Sequence, residues 1–301
     1  MHLNDGRLQI QGFGATVQVR APAWVESASL SGWVAPEVDT VAGGRAPVDI
    51  ELSESGGSIL LRVGRRRFGP YTKRESALRG LASGIHFVLG MRSPMTFIHA
   101  AAVEIDGAAF VFPGDSGWGK STLARRLVED GCGYLSDEYA VLSPDGAVLP
   151  LSKPIRIRGE ESPTYLRPGG VSAPDGIPCG AFVLTRFVPG ARWNPEPVTP
   201  GVAILECLRS TLRSRRDPQG SLQALLLAAG GALCIRSDRG EDPEPVADTL
   251  RALARGVPSR GRPSPNAGLH IARDPRESGT RERSGGPPST AFVPPLRVVV
   301  S

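Results

Sequence analysis

Gly114-Asp-Ser-Gly-Trp-Gly-Lys120-Ser121 decides the reading of this chain, because it follows the apolar run Ala108-Ala-Phe-Val-Phe112 directly. The pattern G-x-x-x-x-G-K-S is that of a phosphate-binding loop, and each part has a task. Its glycines let successive backbone N–H groups turn inward around phosphate oxygens. Lys120 places a positive charge at the outer phosphates, and the Ser121 hydroxyl suits Mg²⁺. Thr122-Leu-Ala-Arg-Arg-Leu-Val-Glu-Asp130 continues with helix formers and puts Leu123, Leu127 and Val128 on one face. The loop therefore opens onto a helix N-terminus, where free N–H groups and the macrodipole both favour an anion. The nucleotide-contacting stretch read from the pattern is Gly114, Asp115, Ser116, Gly117, Trp118, Gly119, Lys120, Ser121 and Thr122. Trp118 fills a variable position of it, where its ring can shield the phosphates or pack on a partner.

Upstream, Phe97-Ile-His-Ala-Ala-Ala-Val-Glu-Ile105 is joined to Ala108–Phe112 by Asp106-Gly107. Asp-Gly between two apolar runs is a strong hairpin signal, so the strand entering the loop should pair antiparallel with the one before it. Leu78, Leu81, Ile85 and Leu89 predict a helix near Glu75–Leu89. The first seventy residues alternate apolar and polar positions between prolines and glycines, as in Leu8-Gln-Ile-Gln and Thr16-Val-Gln-Val-Arg20. They read as a small sheet module without visible chemistry. Downstream, Gly131 can stop the first helix. Tyr134–Leu142 and Ala147-Val-Leu149, around Pro144-Asp-Gly146, predict a second hairpin. Gly180–Leu184 and Ala232–Ile235 read as strands, and Val202–Leu212, Ser221–Ala229 and Val246–Ala254 as helices. From Gly256 the chain is Pro-, Gly-, Ser- and Arg-rich without periodicity, a composition expected to be disordered. The expected organisation is a β-rich segment 1–72, a catalytic domain 73–255 and a tail 256–301.

The chemistry needs carboxylates, and Asp137-Glu138 follows Lys120 by seventeen residues in an expected strand. Phosphoryl transfer uses one acid to hold or orient Mg²⁺ and one to take the proton of the attacking hydroxyl. Adjacent strand residues point to opposite faces, so both can serve only if the backbone breaks there. A solvated acidic pair at a strand end is the plainer alternative. Lys153-Pro-Ile-Arg-Ile-Arg158 adds three cations that suit either a phosphate or an exposed edge. His99 lies fifteen residues before Gly114, and on spacing alone a structural role outweighs a catalytic one. His2, His86 and His270 show no metal-ligand spacing, and Arg186, Arg192, Arg209 and Arg213–Arg216 have no spacing to recommend one as a charge clamp.

Composition excludes several classes. The chain has 301 residues, 40% hydrophobic, without an apolar run of 18, so no membrane span is expected. The N-terminus lacks the regions of a secretory signal, and Cys132, Cys179, Cys207 and Cys234 are widely spaced, so a cytoplasmic protein with free thiols is expected. The tail holds seven arginines against three acidic residues and so carries +4 of the net +5. The body is near neutral, which argues against a nucleic-acid partner.

The block His99-Ala-Ala-Ala-Val-Glu-Ile-Asp-Gly, then Gly114-Asp-Ser-Gly-Trp-Gly-Lys-Ser-Thr, then Leu135-Ser-Asp-Glu closely resembles the catalytic domain of HPr kinase/phosphorylase. The match runs from His99 to about Leu149. The resemblance implies an α/β (α+β) phosphate-loop fold with a mixed sheet, akin to phosphoenolpyruvate carboxykinase, and transfer of phosphate from ATP, with Mg²⁺, to a serine of a protein or peptide. It assigns Lys120 to the outer phosphates, Ser121 to the metal, and the acidic pair to Asp137 and Glu138. One of these acts as base, with Asp137 favoured, and the other, Glu138, sits near the metal. His99 matches a histidine kept close to that site, which places it among the catalytic residues. Homo-oligomer formation is implied only by the resemblance. The chain departs from the family pattern at Thr122, where Glu is usual, at the Asp-Glu pair, where Asp-Asp is usual, and in the second glycine-rich stretch, of which Ile157-Arg-Gly159 is a faint echo. These departures bear on the phosphorylase activity and on HPr as substrate, and the chain is similar to diverged HPr-kinase-like proteins, some resembling kinases of ribosomal peptide precursors such as lasso peptides. A nucleotide-binding regulatory module without turnover and a small-molecule phosphotransferase on the same scaffold are the alternatives.

Overall fold

The computed structural model describes residues 6–42, 46–157, 164–241 and 244–256. The expected tail beyond Gly256, together with His2, His270 and the Arg158-Gly159 positions, lies outside the described residues. The alternating N-terminal pattern forms β1 (Arg7–Gly12), β2 (Ala15–Arg20), α1 (Ser27–Ser31), β3 (Asp39–Ala42), β4 (Ile50–Ser55), β5 (Ser58–Val63) and β6 (Arg66–Tyr71). The strands make one sheet in the order β3-β1-β2-β4-β5-β6, antiparallel except where β2 meets β4. Period-2 burial puts Leu8, Ile10, Val17, Val19, Ile50, Leu52, Ile59 and Leu61 on its inner face. The next element, α2 (Arg74–Arg92), starts where the expected catalytic domain starts, and it packs Leu78, Leu81, Ile85 and Leu89 onto this first sheet. Arg92, in its last turn, favours the negative end of the helix and bonds Asp49 Oδ2 at 2.6 Å and the Thr16 carbonyl at 2.9 Å.

His86 lies in the core of this pairing and is fully buried; its Nε2 accepts from the Ala35 N–H at 3.2 Å. Burial, which penalises the imidazolium more than the nearby Glu138 charge favours it, lowers its pKa to about 4. Unfolded, the same ring takes a proton near 6.5, so between about 4 and 6.5 the unfolded chain binds more protons and stability falls as pH falls. Urea unfolding should give about 2 kcal/mol less stability at pH 5 than at pH 7 from this group. In His86→Gln, whose carbonyl can still accept from Ala35, that part of the slope should vanish.

The second sheet is buried on both faces, which is why its strands are nearly continuous apolar runs. After β7 (Thr96–Ile98), β8 (Ala100–Ile105) and β9 (Ala108–Pro113) form the expected hairpin, with Ala100 opposite Pro113 and Ile105 opposite Ala108. Asp106 and Gly107 both have positive φ, 50° and 82°, as a two-residue turn of this kind requires. Then come α3 (Lys120–Glu129), β10 (Gly133–Ser136), β11 (Ala140–Leu142), β12 (Val148–Leu149), β13 (Ile155–Ile157), β14 (Thr164–Leu166), β15 (Cys179–Phe187), β16 (Glu196–Pro197), α4 (Pro200–Arg209), α5 (Pro218–Ala229), β17 (Leu233–Arg239) and α6 (Glu244–Gly256). The sheet order is β10-β8-β9-β15-β17-β16, with β9, β15 and β17 parallel and the remaining pairs antiparallel, so the sheet is mixed. Alternation along each strand feeds two cores. Ala100, Ala102, Ala109, Val111 and Phe182 face α4 and α5, while Ala101, Val103, Phe110, Phe112, Ala181 and Val183 face α3 and α6. The domain is therefore a helix–sheet–helix sandwich.

Two expected strands are each divided. Phe97–Ile105 breaks at His99 and Tyr134–Leu142 breaks at Asp137–Tyr139, because β7 and β11 leave the main sheet for a small one of order β12-β11-β7. The helix expected over Val202–Leu212 ends at Arg209, since Thr211 bridges Ile98 and the Leu212 N–H bonds the Phe97 carbonyl at 2.9 Å. Asp217 and Thr199 cap α5 and α4 through the Gly220 and Val202 N–H groups. Gly131, at φ 91°, follows α3 as its expected stop. No helix among the described residues is long and apolar enough to cross a membrane. The four cysteines are free.

Candidate functional site

The turn from β9 into α3 is where backbone and side chain first cooperate. Gly117 and Gly119 take φ of 94° and 78°, and Gly119 is crowded as well, because a Cβ there would collide with the Arg239 guanidinium. Gly114 likewise lies under the Trp118 ring and leaves no room for a side chain. Only glycine combines such conformations with such close approach. Lys120 opens α3, is 7% exposed, and donates from Nζ to the Gly114 and Asp115 carbonyls, both at 2.7 Å. The loop thus folds around its own lysine. Ser121 and Thr122 follow in the first turn of the helix and line the same cleft, of about 680 Å³.

The acidic pair reaches that cleft because the strand stops. Ser136, the last residue of β10, accepts at Oγ from the Glu138 N–H (3.3 Å) and the Tyr139 N–H (3.2 Å), which bends the chain away from strand geometry. Asp137 and Glu138 are thereby released from alternation, and both face Lys153. Its Nζ lies 2.9 Å from Glu138 Oε2 and 3.5 Å from Asp137 Oδ1. The Tyr134 hydroxyl braces the arrangement, 2.8 Å from the Lys153 carbonyl and 3.2 Å from Asp137 Oδ1. Burial pushes the Glu138 carboxyl up, but the Lys153 ammonium outweighs this and holds it below the usual carboxylate range. Burial also works against the Lys153 charge, and the two carboxylates overcome it and raise the ammonium pKa. The structure therefore favours the ionised states of Glu138 and Lys153 together. A solvated pair at a strand end would show neither the burial nor the shared cation.

His99, at the break between β7 and β8, also lines the cleft. Its N–H bonds the Ser210 carbonyl at 2.8 Å, and its own carbonyl accepts from the Gly114 N–H at 3.4 Å, so the residue is tied to the first glycine of the loop. Burial and then the Lys120 charge lower the imidazole pKa, which keeps the ring neutral near pH 7.

Arg239 is a site residue that sequence reading missed. It ends β17, is 3% exposed, and donates from Nη2 to the Gly119 carbonyl at 2.7 Å, with its guanidinium 5.7 Å from the Phe187 ring centre. No carboxylate pairs with it among the described residues, and burial lowers its pKa. Only the end of an apolar strand in Ser237-Asp238-Arg239 hints at it in the sequence. Of the expected cation run, Lys153 and Arg156 line the cleft, whereas Arg158 lies outside the described residues. Arg186 instead pairs with Asp238 at 2.9 Å, and Arg213 bonds the Ser93 carbonyl and approaches Asp217.

The donor set fits a polyphosphate and a hard cation. A loop without side chains at its glycines, one lysine within it and a buried arginine beside it are the complement of an anion. Ser121, Asp137 and Glu138 supply oxygen ligands of the kind Mg²⁺ takes. No group of three His, Cys, Asp or Glu that could hold a metal ion occurs among the described residues.

No family model matches this chain, and no curated protein does. Among solved structures, the Hpr(Ser) kinase/phosphatase from Coxiella burnetii matches with 12% identity over 53% of this chain and 88% of that one, at a TM-score of 0.22. The site geometry, and not this slight similarity, supports the functional reading.

Proposed function

We propose that the chain is an ATP-dependent serine kinase acting on a protein or peptide. One observation carries the reading: a single cleft joins the glycine loop and Lys120 to an acidic pair freed from its strand. Bound Mg²⁺·ATP supplies the transferable phosphoryl group and part of the charge neutralisation. The loop N–H groups, Lys120 and Arg239 hold phosphate oxygens, and Ser121 and Glu138 hold the metal. Asp137 takes the proton of the acceptor hydroxyl, in a position fixed by Tyr134. His99 stays neutral and orients the first glycine of the loop through its backbone. Catalysis here is positioning and electrostatics, with no covalent intermediate on the protein.

The acidic limb of the rate–pH profile should depend on Lys153. With its ammonium present, Glu138 stays ionised to lower pH than a free carboxyl does. In Lys153→Met the carboxyl keeps its burial and loses its partner, so the acidic limb should move to higher pH. An unmoved limb would show that Glu138 does not govern it.

Arg239→Met keeps the packing of the stem and removes the charge. Losing a charge-assisted contact of about 1.5–3 kcal/mol should weaken nucleotide affinity at least about tenfold, read by calorimetry.

A second reading, a nucleotide switch without turnover, is favoured by the same Lys153, because its ammonium sits between the two carboxylates that would meet the metal. Titration with Mg²⁺·ATP alongside an ADP-release assay in the presence of candidate polypeptides separates the two. Polypeptide-dependent ADP release supports the kinase; saturable binding with no release supports the switch.

A further inference from the structure

Between α2 and the Lys153–Arg156 segment lies a chamber of about 280 Å³, which shares Lys153 and Arg156 with the cleft. From α2 it is lined by Ser76, Arg79, Ser83 and His86, and from β14 by Tyr165. None of its lining side chains, among the described residues, is a carboxylate. Every polar group offers a positive charge, an N–H or a hydroxyl.

Two of these groups are prepared for a ligand. Arg79 donates to the Tyr165 hydroxyl and stacks on that ring with its guanidinium carbon 5.5 Å from the centre, and no carboxylate pairs with it among the described residues. Tyr165 is in turn held edge-on against Trp33 at 4.8 Å. His86 is fully buried, and its Nε2 lone pair is taken by the Ala35 N–H, so the ring proton is on Nδ1. That Nδ1 has no partner within the protein. A buried donor left unmet is costly, and an anion oxygen would satisfy it. The volume lies just under the range of about 300–1,000 Å³ typical of sites for drug-sized ligands, so the ligand is smaller than these.

We propose that this chamber binds a small phosphate dianion, either inorganic phosphate or the phosphate of a small monoester, held by Arg79, Lys153 and the His86 Nδ1–H. The site is distinct from the glycine loop and does not depend on the kinase reading. Because Lys153 also holds Glu138 and Asp137, a dianion in the chamber competes for its ammonium and couples the chamber to the acidic pair.

The test follows the His86 Nδ1–H resonance by nitrogen-15 NMR in the nucleotide-free full chain, titrated with inorganic phosphate or glycerol 3-phosphate at constant ionic strength. The expected result is a saturable shift that persists in Lys120→Ala, which disables the glycine loop. The shift should need at least about tenfold more phosphate in Arg79→Gln, where the lost contact is charge-assisted, and in Ser83→Leu, which fills the chamber without removing charge. Should Arg79→Gln fail to fold, Ser83→Leu carries the comparison alone, since it adds only an apolar side chain to a helix face. Whichever of the two anions saturates at lower concentration identifies the source. Absence of any shift, its loss in Lys120→Ala, or its persistence unchanged in both chamber variants would overturn the proposal.

Discussion

Lys120→Ala is expected to abolish productive binding of ATP while leaving the fold intact. Its ammonium is the cation inside the loop, bonded at 2.7 Å to the carbonyls of Gly114 and Asp115. A triphosphate would exchange those neutral acceptors for charged ones, which roughly doubles the strength of each bond. Losing one such preorganised donor typically costs about 10²–10³ in rate, and here the affinity of the outer phosphates goes with it. The variant should therefore show no transfer above background and at least about 100-fold weaker nucleotide binding by calorimetry. Circular dichroism should match that of the unaltered protein, because Leu123, Ala124 and Leu127 still anchor α3 to the sheet.

Asp137→Asn should separate binding from chemistry. The amide keeps the size and the contact with Tyr134, so nucleotide affinity should stay within a few-fold, but the group can no longer take a proton. Loss of a general base lowers transfer by about two to four orders of magnitude. Glu138→Gln should instead raise the Mg²⁺ concentration needed for half-maximal rate. If Asp137→Asn transfers phosphate normally and Glu138→Gln does not, the two acids have exchanged roles. Steady-state kinetics against Mg²⁺ concentration distinguishes the cases.

Much of the site was legible because its parts are contiguous in sequence. The loop, its helix and the Asp106-Gly107 hairpin are local patterns, and each formed where its turn chemistry placed it. The acidic pair was found by its distance from Lys120, yet the sequence could not show the break at Ser136 that brings both acids to one cation. Such a break depends on β11 pairing with β7, a contact more than forty residues away along the chain. Arg239 was illegible for the same reason, since it meets Gly119 across 120 positions. His86 shows the converse case. Its sequence neighbours carry no companion pattern, and only the packing of α2 against the Ala35 segment reveals a buried ring with one nitrogen spent and one free. In the N-terminal sheet, β3 and β6 went unread, because Asp39–Ala42 is short and the exposed face of Arg66–Tyr71 carries little alternation.

We propose that this cleft moves a phosphoryl group to a serine. The most direct measurement is mass spectrometry of polypeptides encoded beside this chain's gene, after incubation with the full chain, Mg²⁺ and ATP. Phosphoserine is expected on one of them, absent with Lys120→Ala and reduced at least about 100-fold with Asp137→Asn. Tight nucleotide binding by the unaltered chain, with no phosphoserine on any polypeptide and no ATP consumed, would contradict it.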